Sequence, residues 1–263
     1  MAENTFRRLE KKILADTSLV PALQERLAEY MDLDKHNSEG EPYTICNIYF
    51  DTPNDDVIRE SIQKPKFKEK MRLRSYGTPK DDDMVFIELK RKLDGVSTKR
   101  RVTLPMKDAK AYLENGIHPE GLSYVNQQIL NEIDYYRQRT GVVPASYVSY
   151  RRIAYYAKDD PKMRLTFDFD ILTRRTDLDI QAGRFGDPLL PDGLTLIEVK
   201  FPGAVPLWLC HILDEFHLSF GTFSKAGSSF KHFKLDEIAK TGFLSEDEIQ
   251  IISEDIKTYG RIL

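Results

Sequence analysis

The sequence predicts an α+β protein in which strands with one charged face are interspersed with helices. Six segments alternate in polarity with a period of two, as β-strands do. Five other segments carry the capping and spacing signals of helices. The composition agrees with this class, because 41% hydrophobic residues in a 263-residue chain are enough to bury a substantial core.

The predicted helices begin at polar capping residues or proline, and two of them end near glycine. Ser245 and Glu248 have the spacing of a capping box at the start of the last helix. The helices are predicted over 16–31, 107–114, 123–139, 206–217 and from 245 onward.

The predicted strands each place charged side chains on one face. They cover 68–76, 84–92, 97–104, 147–155, 163–172 and 194–201. A half-buried strand with its polar face in water shows the same alternation. A solvated sheet therefore explains this pattern as well as an internal charged site does.

The chain shows no internal repeat, no low-complexity tract and no long linker rich in proline or glycine. We therefore expect one domain over 1–263, in which 235–263 forms a C-terminal helical extension. Residues 81–83 are predicted to form a hairpin loop and 183–192 a longer surface loop.

The overall charge limits the possible partners. The chain has 39 basic and 42 acidic residues, for a formal charge of −3, so an anion site requires local clustering. The same balance argues against a nucleic-acid partner. Cys46 and Cys210 lie too far apart for a CxxC motif, which fits a reducing compartment. No apolar run approaches the roughly 20 residues of a membrane span, so we expect a cytoplasmic protein without a membrane segment.

The charged faces are rich in Arg and Lys, with only a few carboxylates among them. Residues i and i+2 of a strand share a face. The shared faces are Glu10 and Lys12; Lys70, Arg72, Arg74 and Tyr76; Glu88, Lys90 and Lys92; Lys99 and Arg101; Tyr150 and Arg152; Arg164, Thr166 and Asp168; and Glu198 and Lys200.

A barrel with these faces inside would enclose about a dozen cations and three or four carboxylates. Burying so many cations without counterions costs several kcal/mol for each charge. The pattern therefore favours a ligand of high negative charge density, such as a phosphate chain, which Arg binds bidentately and Lys as a point charge. The sequence contains neither GxxxxGK[ST] nor GxGxxG, so side chains on strands would bind the phosphates.

Eight segments carry a resemblance to a known family. They are 43–52 (YTICNIYFDT), 68–77 (KEKMRLRSYG), 86–90 (FIELK), 99–101 (KRR), 149–155 (SYRRIAY), 164–168 (RLTFD), 196–200 (LIEVK) and 222–225 (TFSK). In this order, from about residue 6 to 234, the chain resembles the VTC polyphosphate polymerase domain of the CYTH, or triphosphate tunnel, superfamily.

The resemblance implies an eight-stranded antiparallel tunnel β-barrel with flanking helices. It also implies a metal-dependent phosphotransferase that moves the terminal phosphate of ATP onto a growing inorganic polyphosphate chain and releases ADP. The implied cofactor is a divalent metal, Mn²⁺ or Mg²⁺. The position-by-position match implies catalytic roles for Arg72, Arg74, Lys90, Arg152, Arg164 and Lys200. It implies substrate binding by Lys12, Lys99, Arg101, Tyr150, Ser224 and Lys225. It implies Glu198 as the main metal ligand, with Glu88 and Glu10 as further candidates.

Two other functions fit the same residues. One is a metal-dependent tri- or polyphosphatase, and the other is a non-catalytic module that binds polyphosphate or nucleotide. Hydrolysis needs a base that orients or deprotonates water. The excess of cations over carboxylates on the predicted inner faces therefore favours transfer to a phosphate chain over transfer to water.

Overall fold

The computed structural model describes residues 5–6, 8–37, 40–94 and 96–241. Eight long strands in these residues have nine to fifteen residues each: β2 (Arg8–Asp16), β4 (Tyr43–Asp51), β5 (Phe67–Tyr76), β6 (Met84–Leu93), β7 (Val96–Pro105), β8 (Val143–Ala157), β9 (Arg164–Arg174) and β11 (Leu194–Pro202). Three strands of two or three residues accompany them: β1 (Thr5–Phe6), β3 (Met31–Leu33) and β10 (Asp187–Pro188).

The α-helices of the described residues flank these strands. They are α1 (Val20–Leu27), α2 (Asp56–Ile62), α3 (Met106–Asn115), α4 (Tyr124–Thr140), α5 (Leu207–Glu215) and α6 (Lys225–Thr241). The strand pairs with a defined register are antiparallel. The predicted fold class, α+β with eight long antiparallel strands and flanking helices, is confirmed.

The chain divides into two compact units, to both of which β8 and β9 contribute. The first unit contains Thr44–Ser149 and Leu172–Asp187, together with β1. Its strands follow the order β1, β7, β6, β5, β4 and β8. Apolar residues on one face of β5, β6 and β7 form a core with residues of α3 and α4, including Met71, Leu89, Val102, Tyr112 and Ile133.

The second unit contains Arg8–Tyr43, Tyr150–Ile171 and residues 188–241. β11 pairs with β9 on one side and with β2 on the other, and β3 pairs with β8. The core of this unit joins the strands to α1 and α5 through Ile13, Leu27, Phe167, Val199 and Leu209. In both units one strand face is apolar, so the opposite face is left for polar and charged side chains.

Two predicted helices agree closely with the structure. The segment predicted at 123–139 is α4, which Ser123 caps by accepting from Asn126 N–H. The segment predicted at 107–114 is α3. Each of these helices ends at a glycine with positive φ, 69° for Gly116 and 67° for Gly141, a conformation that glycine adopts without steric cost.

Other predicted boundaries were wrong. The helix predicted over 16–31 is shorter, because Asp16 caps a 3₁₀ turn and Met31 pairs with β8 as the first residue of β3. The segment predicted at 206–217 ends earlier, as α5. Helix α2 was not predicted, and of α6 only 235–241 fell within a predicted helical segment, the C-terminal extension. Strand β10 lies within the predicted surface loop 183–192. The helix predicted from Ser245, and 242–263 of the predicted C-terminal extension, lie outside the described residues.

The division into two compact units does not test the prediction of one domain, which stays a prediction. No helix within the described ranges is both long and apolar enough to cross a membrane.

Candidate functional site

The first charged cluster surrounds Glu88 on β6. Strand pairing sets Arg72, Glu88 and Arg101 directly opposite one another across β5, β6 and β7, so their side chains share a face. Glu88 is 1% exposed, and its Oε2 accepts from Arg72 Nε at 2.6 Å. Its Oε1 accepts from Arg101 Nε at 2.6 Å and from Lys99 Nζ at 3.0 Å. A single buried carboxylate therefore holds cations from two neighbouring strands.

The cations around Glu88 keep it ionised. Burial raises the pKa of Glu88, but neighbouring positive charges outweigh burial and hold the pKa well below its usual range. These charges are Arg72, Arg74, Lys99 and Arg101. Because Glu88 stays negative near neutral pH, it serves as a permanent counterion for this face.

Arg74 is positioned by a buried amide. Its Nε donates to Asn47 Oδ1 at 2.9 Å, and the Asn47 amide donates to the backbone oxygen of Val148 at 3.0 Å. Asn47 is 0% exposed, so this interaction restricts the Arg74 side chain.

The next row of the same face contains Lys70, Lys90 and Lys99, with Lys90 between the other two. Lys90 is exposed. Although the Lys99 side chain is 44% exposed, loss of hydration around its ammonium group lowers its pKa to about 8, and the nearby Glu88 acts in the opposite direction. The ammonium group of Lys99 therefore loses its proton at a lower pH than an ordinary lysine.

The second charged cluster surrounds Glu198 on β11. Its Oε1 accepts from Lys225 Nζ at 2.9 Å, and its Oε2 accepts from Lys200 Nζ at 3.2 Å and Arg152 Nη2 at 3.3 Å. Lys12, opposite Glu198 on β2, places its Nζ 3.9 Å from Oε1. Burial raises the pKa of Glu198, but these four cations hold it well below its usual range.

Asp168 is a second buried carboxylate of this cluster, at 0% exposure. It binds Arg152 bidentately, with Oδ1 to Nε at 2.6 Å and Oδ2 to Nη2 at 2.7 Å. Lys225 Nζ lies 2.5 Å from Asp168 Oδ2. Burial lowers the pKa values of Arg152 and Lys225, but the nearby carboxylates outweigh it and raise both. Both cations therefore remain charged.

Three other predicted residues of this unit have distinct surroundings. The Tyr150 ring lies 5.0 Å from the Arg152 guanidinium and 4.6 Å from Lys225 Nζ, within cation–π range. Ser224 caps α6, because its Oγ accepts from Gly227 N–H at 3.2 Å. Arg164 is exposed and stands opposite Lys200 in the strand pairing, without an ion pair to any described residue.

Thr166 supplies an unpaired polar atom to the second cluster. It stands opposite Glu198 in the pairing of β9 with β11, so the two side chains share a face. Its Oγ1 is buried and has no hydrogen-bond partner in the part of the chain that the structure describes. A buried hydroxyl without a partner is unfavourable, which makes this group a candidate donor to a ligand.

The candidate metal ligands differ in their surroundings. Within the described ranges, no three His, Cys, Asp or Glu side chains form a metal-binding group. Both oxygens of Glu88 accept from cations, as do both oxygens of Glu198, so a metal at either residue would displace one of these cations. Glu10 lies near Lys12 at 3.3 Å and Lys200 at 3.9 Å, and both lysines also contact Glu198. Glu10 and Glu198 fit a divalent metal only if phosphate oxygens complete its ligands, which is the usual arrangement for Mg²⁺.

Three residues of the clusters were not predicted as site residues. Thr166 and Asp168 share the period-two face of Arg164, and this spacing was the available signal for them. Asn47 has no such signal, because nothing in the local sequence indicates that it contacts Arg74.

These contacts define an α+β protein whose strands hold clusters of Arg and Lys around buried carboxylates, an arrangement suited to polyanions. The model of the VTC domain family matches residues 7–233. The chain belongs to this family.

Several solved structures are similar at low identity. A candidate adenylate cyclase from Bacillus halodurans is 17% identical, with 84% of this chain and 95% of that chain covered and a TM-score of 0.46. A candidate adenylate cyclase from Vibrio parahaemolyticus is 11% identical, with coverage of 84% and 96% and a TM-score of 0.45. A candidate adenylyl cyclase from Hippeastrum, described as having a dominant triphosphatase activity, is 17% identical, with coverage of 92% and 99% and a TM-score of 0.44. No curated protein matches significantly.

Proposed function

We propose that this protein is a polyphosphate polymerase that transfers the terminal phosphate of ATP to the end of a polyphosphate chain and releases ADP. Membership of the VTC domain family supports a protein that acts on polyphosphate or triphosphate. The predicted catalytic and substrate-binding cations supply the charge that such ligands require. We assign phosphate binding to each of the two clusters by itself.

The observation that carries the choice of reaction is the pairing of the buried carboxylates. Glu88 and Glu198 accept from cations on both oxygens, and their pKa values lie well below the usual range. Asp168 is enclosed by Arg152 and Lys225. A general base must accept a proton near the working pH, so these buried carboxylates are unsuited to activating water.

Transfer to a phosphate chain makes no such demand. The terminal phosphate of the acceptor is largely ionised near neutral pH, so its oxygen attacks the γ-phosphorus of ATP without a base. The bond from the γ-phosphorus to the β,γ-bridging oxygen breaks, and ADP leaves with those electrons. Arg and Lys side chains stabilise the charge on the transferred group and hold the reactants in position.

A divalent metal, Mn²⁺ or Mg²⁺, fits this proposal at Glu198 and Glu10 together with phosphate oxygens. The metal would neutralise charge on those oxygens. Thr166 Oγ1 donates to a ligand oxygen in the same cluster, and Glu88 positions Arg72, Lys99 and Arg101.

The reaction is tested by incubating the purified protein with ATP and Mn²⁺ and quantifying ADP, orthophosphate and polyphosphate. We expect ADP in excess of orthophosphate and long polyphosphate on a gel. Equal ADP and orthophosphate without polymer would instead support the tri- or polyphosphatase. Binding of ATP or polyphosphate without turnover would support the binding module.

A matched pair of variants tests the site. Arg152→Ala removes a cation that Asp168 and Glu198 hold in the second cluster. Arg151→Ala removes the neighbouring arginine, which is exposed and pairs with Asp170 at 2.5 Å. We expect the first variant to lose turnover by at least about 10²-fold and the second to remain close to wild type. Equal activity of the two variants would exclude the second cluster from the reaction.

A further inference from the structure

Helix α4 has an apolar inner face and an outer face that is polar but uncharged. On the inner face Ile129, Ile133 and Tyr136 belong to the core of the first unit. Five exposed positions follow one another at spacings of four, three, four and three residues, which places them on one side of the helix. We call this set the α4 stripe: Tyr124, Gln128, Asn131, Tyr135 and Gln138.

All four charged residues of α4 are engaged within their own chain. Glu132 and Arg139 form ion pairs with residues of opposite charge on the strands. Asp134 accepts from the phenol of Tyr112 on α3 at 2.6 Å, and Arg137 donates to two backbone oxygens of α3. These contacts direct the charges of α4 toward its own unit and leave the stripe neutral.

Other surface helices of the protein expose charges. Helix α1 exposes Glu25 and Arg26, and α3 exposes Lys107 and Glu114. A solvated helix face normally carries such residues, and 31% of the whole chain is charged. The α4 stripe instead exposes two phenol rings and three amides. Depletion of charge together with enrichment of Tyr is typical of the centre of a protein–protein interface.

The two rings of the stripe are strongly exposed. Tyr124 is 76% exposed and Tyr135 is 65% exposed, and Val125 beside the first ring is 56% exposed. Gln128 donates to the Tyr124 phenol at 2.9 Å, which restricts both side chains before any partner binds. The stripe therefore offers large, partly ordered aromatic surfaces, and such surfaces contribute most of the affinity in many interfaces.

The chemistry of the stripe fits a second copy of this chain. Each of its side chains both donates and accepts hydrogen bonds, so the stripe is complementary to itself. A charged partner would find no opposite charge here and would lose hydration without compensation. In an antiparallel pair with a two-fold axis, Asn131 faces Asn131 of the second copy, and Tyr124 faces Gln138. Phenols then meet amides at both ends of the pair.

We propose that the α4 stripe is a homodimer interface, in which α4 packs antiparallel against α4 of a second copy about a two-fold axis. The stripe extends about 21 Å along the helix. Two helices in contact over this length form an interface at the small end of the specific range, so we expect a dissociation constant of roughly 1–100 μM. The inference goes beyond the proposed function, because α4 carries none of the predicted site residues.

The first test places a charge at the two-fold axis. Sedimentation of wild type, Asn131→Lys, Asn131→Glu and an equimolar mixture of these two variants is measured over a range of protein concentration. Asn115→Lys is the matched control, because Asn115 is an exposed helical asparagine of α3 outside the stripe.

We expect wild type and the control to dimerise equally. Each Asn131 variant should raise the dissociation constant at least about tenfold, because like charges meet across the axis. The mixture should recover the dimer, because Lys then faces Glu. Tyr135→Ala only truncates an exposed ring and provides a further variant if a charge at 131 disturbs the helix. It should also raise the dissociation constant at least about tenfold.

The second test determines the orientation of the two helices. In an antiparallel pair, Tyr124→Lys/Gln138→Glu places opposite charges together at both ends, whereas Tyr124→Lys/Gln138→Lys places like charges together. In a parallel pair both double variants bring like charges together. We therefore expect the first double variant to dimerise at least about tenfold more tightly than the second.

The inference fails if wild type stays monomeric up to about 200 μM, which lies beyond the expected range, and the stripe would then belong to a different partner. It also fails if Asn115→Lys weakens the dimer as much as Asn131→Lys does, or if the mixture stays monomeric. Equal dissociation of the two double variants would overturn the antiparallel arrangement. Turnover of ATP by Asn131→Lys should match wild type, so failure of the proposed function is measured separately.

Discussion

The two charged clusters hold similar cations in different ways. In the first cluster one buried carboxylate, Glu88, faces Arg72, Lys99 and Arg101, whose side chains are 23% to 44% exposed. In the second cluster three carboxylates contact four cations, whose side chains are 7% to 26% exposed. The first cluster keeps excess positive charge near solvent, whereas the second is nearly compensated and less exposed.

The difference indicates a division between attraction and positioning. Excess charge near solvent attracts an anion and is sensitive to salt. Buried cations held on two sides by carboxylates lose little freedom when a ligand binds, so they orient it. Four predictions, from the largest expected effect to the smallest, test this difference.

The largest effect is expected from Asp168→Asn. This change removes the charge that binds Arg152 and Lys225, and breaking one side of a buried ion pair costs about 3–5 kcal/mol of unfolding free energy. Turnover should fall at least about 10²-fold, because both cations lose their orientation. Urea unfolding and the rate of ADP release measure the two effects.

Asp170→Asn is the matched control for Asp168→Asn. Asp170 lies on the same strand, but its side chain and that of its partner Arg151 are 49% and 47% exposed. An exposed ion pair contributes at most about 1 kcal/mol, so this variant should resemble wild type. Similar losses in both variants would contradict the positioning role of Asp168.

A smaller effect is expected from Glu88→Gln. The cations around Glu88 are partly exposed, so we expect the free energy of unfolding to fall by about 1–3 kcal/mol at low salt. Inorganic triphosphate should then raise the Tm of this variant more than that of wild type, because the anion replaces the missing counterion. In Glu198→Gln, Asp168 still compensates Arg152 and Lys225, so the additional rise should be smaller. The reverse order of the two thermal shifts would remove the distinction between the clusters.

The third prediction concerns pH. Loss of hydration around the Lys99 ammonium group lowers its pKa to about 8, so anion affinity of the free protein should begin to fall as the pH rises through that value. The folded state loses this proton before the unfolded state does, so the contribution of Lys99 to stability rises with pH above about 8. Triphosphate titrations between pH 6.5 and 9.5, a range chosen to span the Lys99 pKa of about 8, measure the change in affinity. Lys99→Arg stays charged and should abolish this change, and an unaltered profile would rule out Lys99 as its source.

The smallest effect is expected from Ser224→Ala, which removes the cap of α6. Loss of such a cap lowers the free energy of unfolding by about 0.5–2 kcal/mol. Ser123→Ala removes the equivalent cap of α4, with a 3.3 Å bond from Asn126 N–H, and should cost about the same. Because Ser224 precedes Lys225, only its variant should also reduce turnover, by less than Asp168→Asn does. An equal reduction in both variants would indicate that α6 affects turnover through stability alone.

The sequence alone determined which side chains share a strand face. Alternation with a period of two placed Arg72 with Arg74, Glu198 with Lys200, and Thr166 with Asp168 on common faces, and the strand pairing agrees with each of these placements. Such patterns are local, because successive side chains of a strand point to opposite faces whatever the rest of the fold does. Helix ends at Gly116 and Gly141 were predictable for the same reason.

Only the tertiary structure decided which carboxylate each cation contacts. Asp168 lies 16 residues from Arg152 and 57 from Lys225 in the sequence, and strand pairing together with the start of α6 brings the three together. Asn47 reaches Arg74 through the pairing of β4 with β5. The same charges that predict a solvated face in isolation gather around buried carboxylates here, because burial and ion pairing depend on neighbours that are distant in the chain.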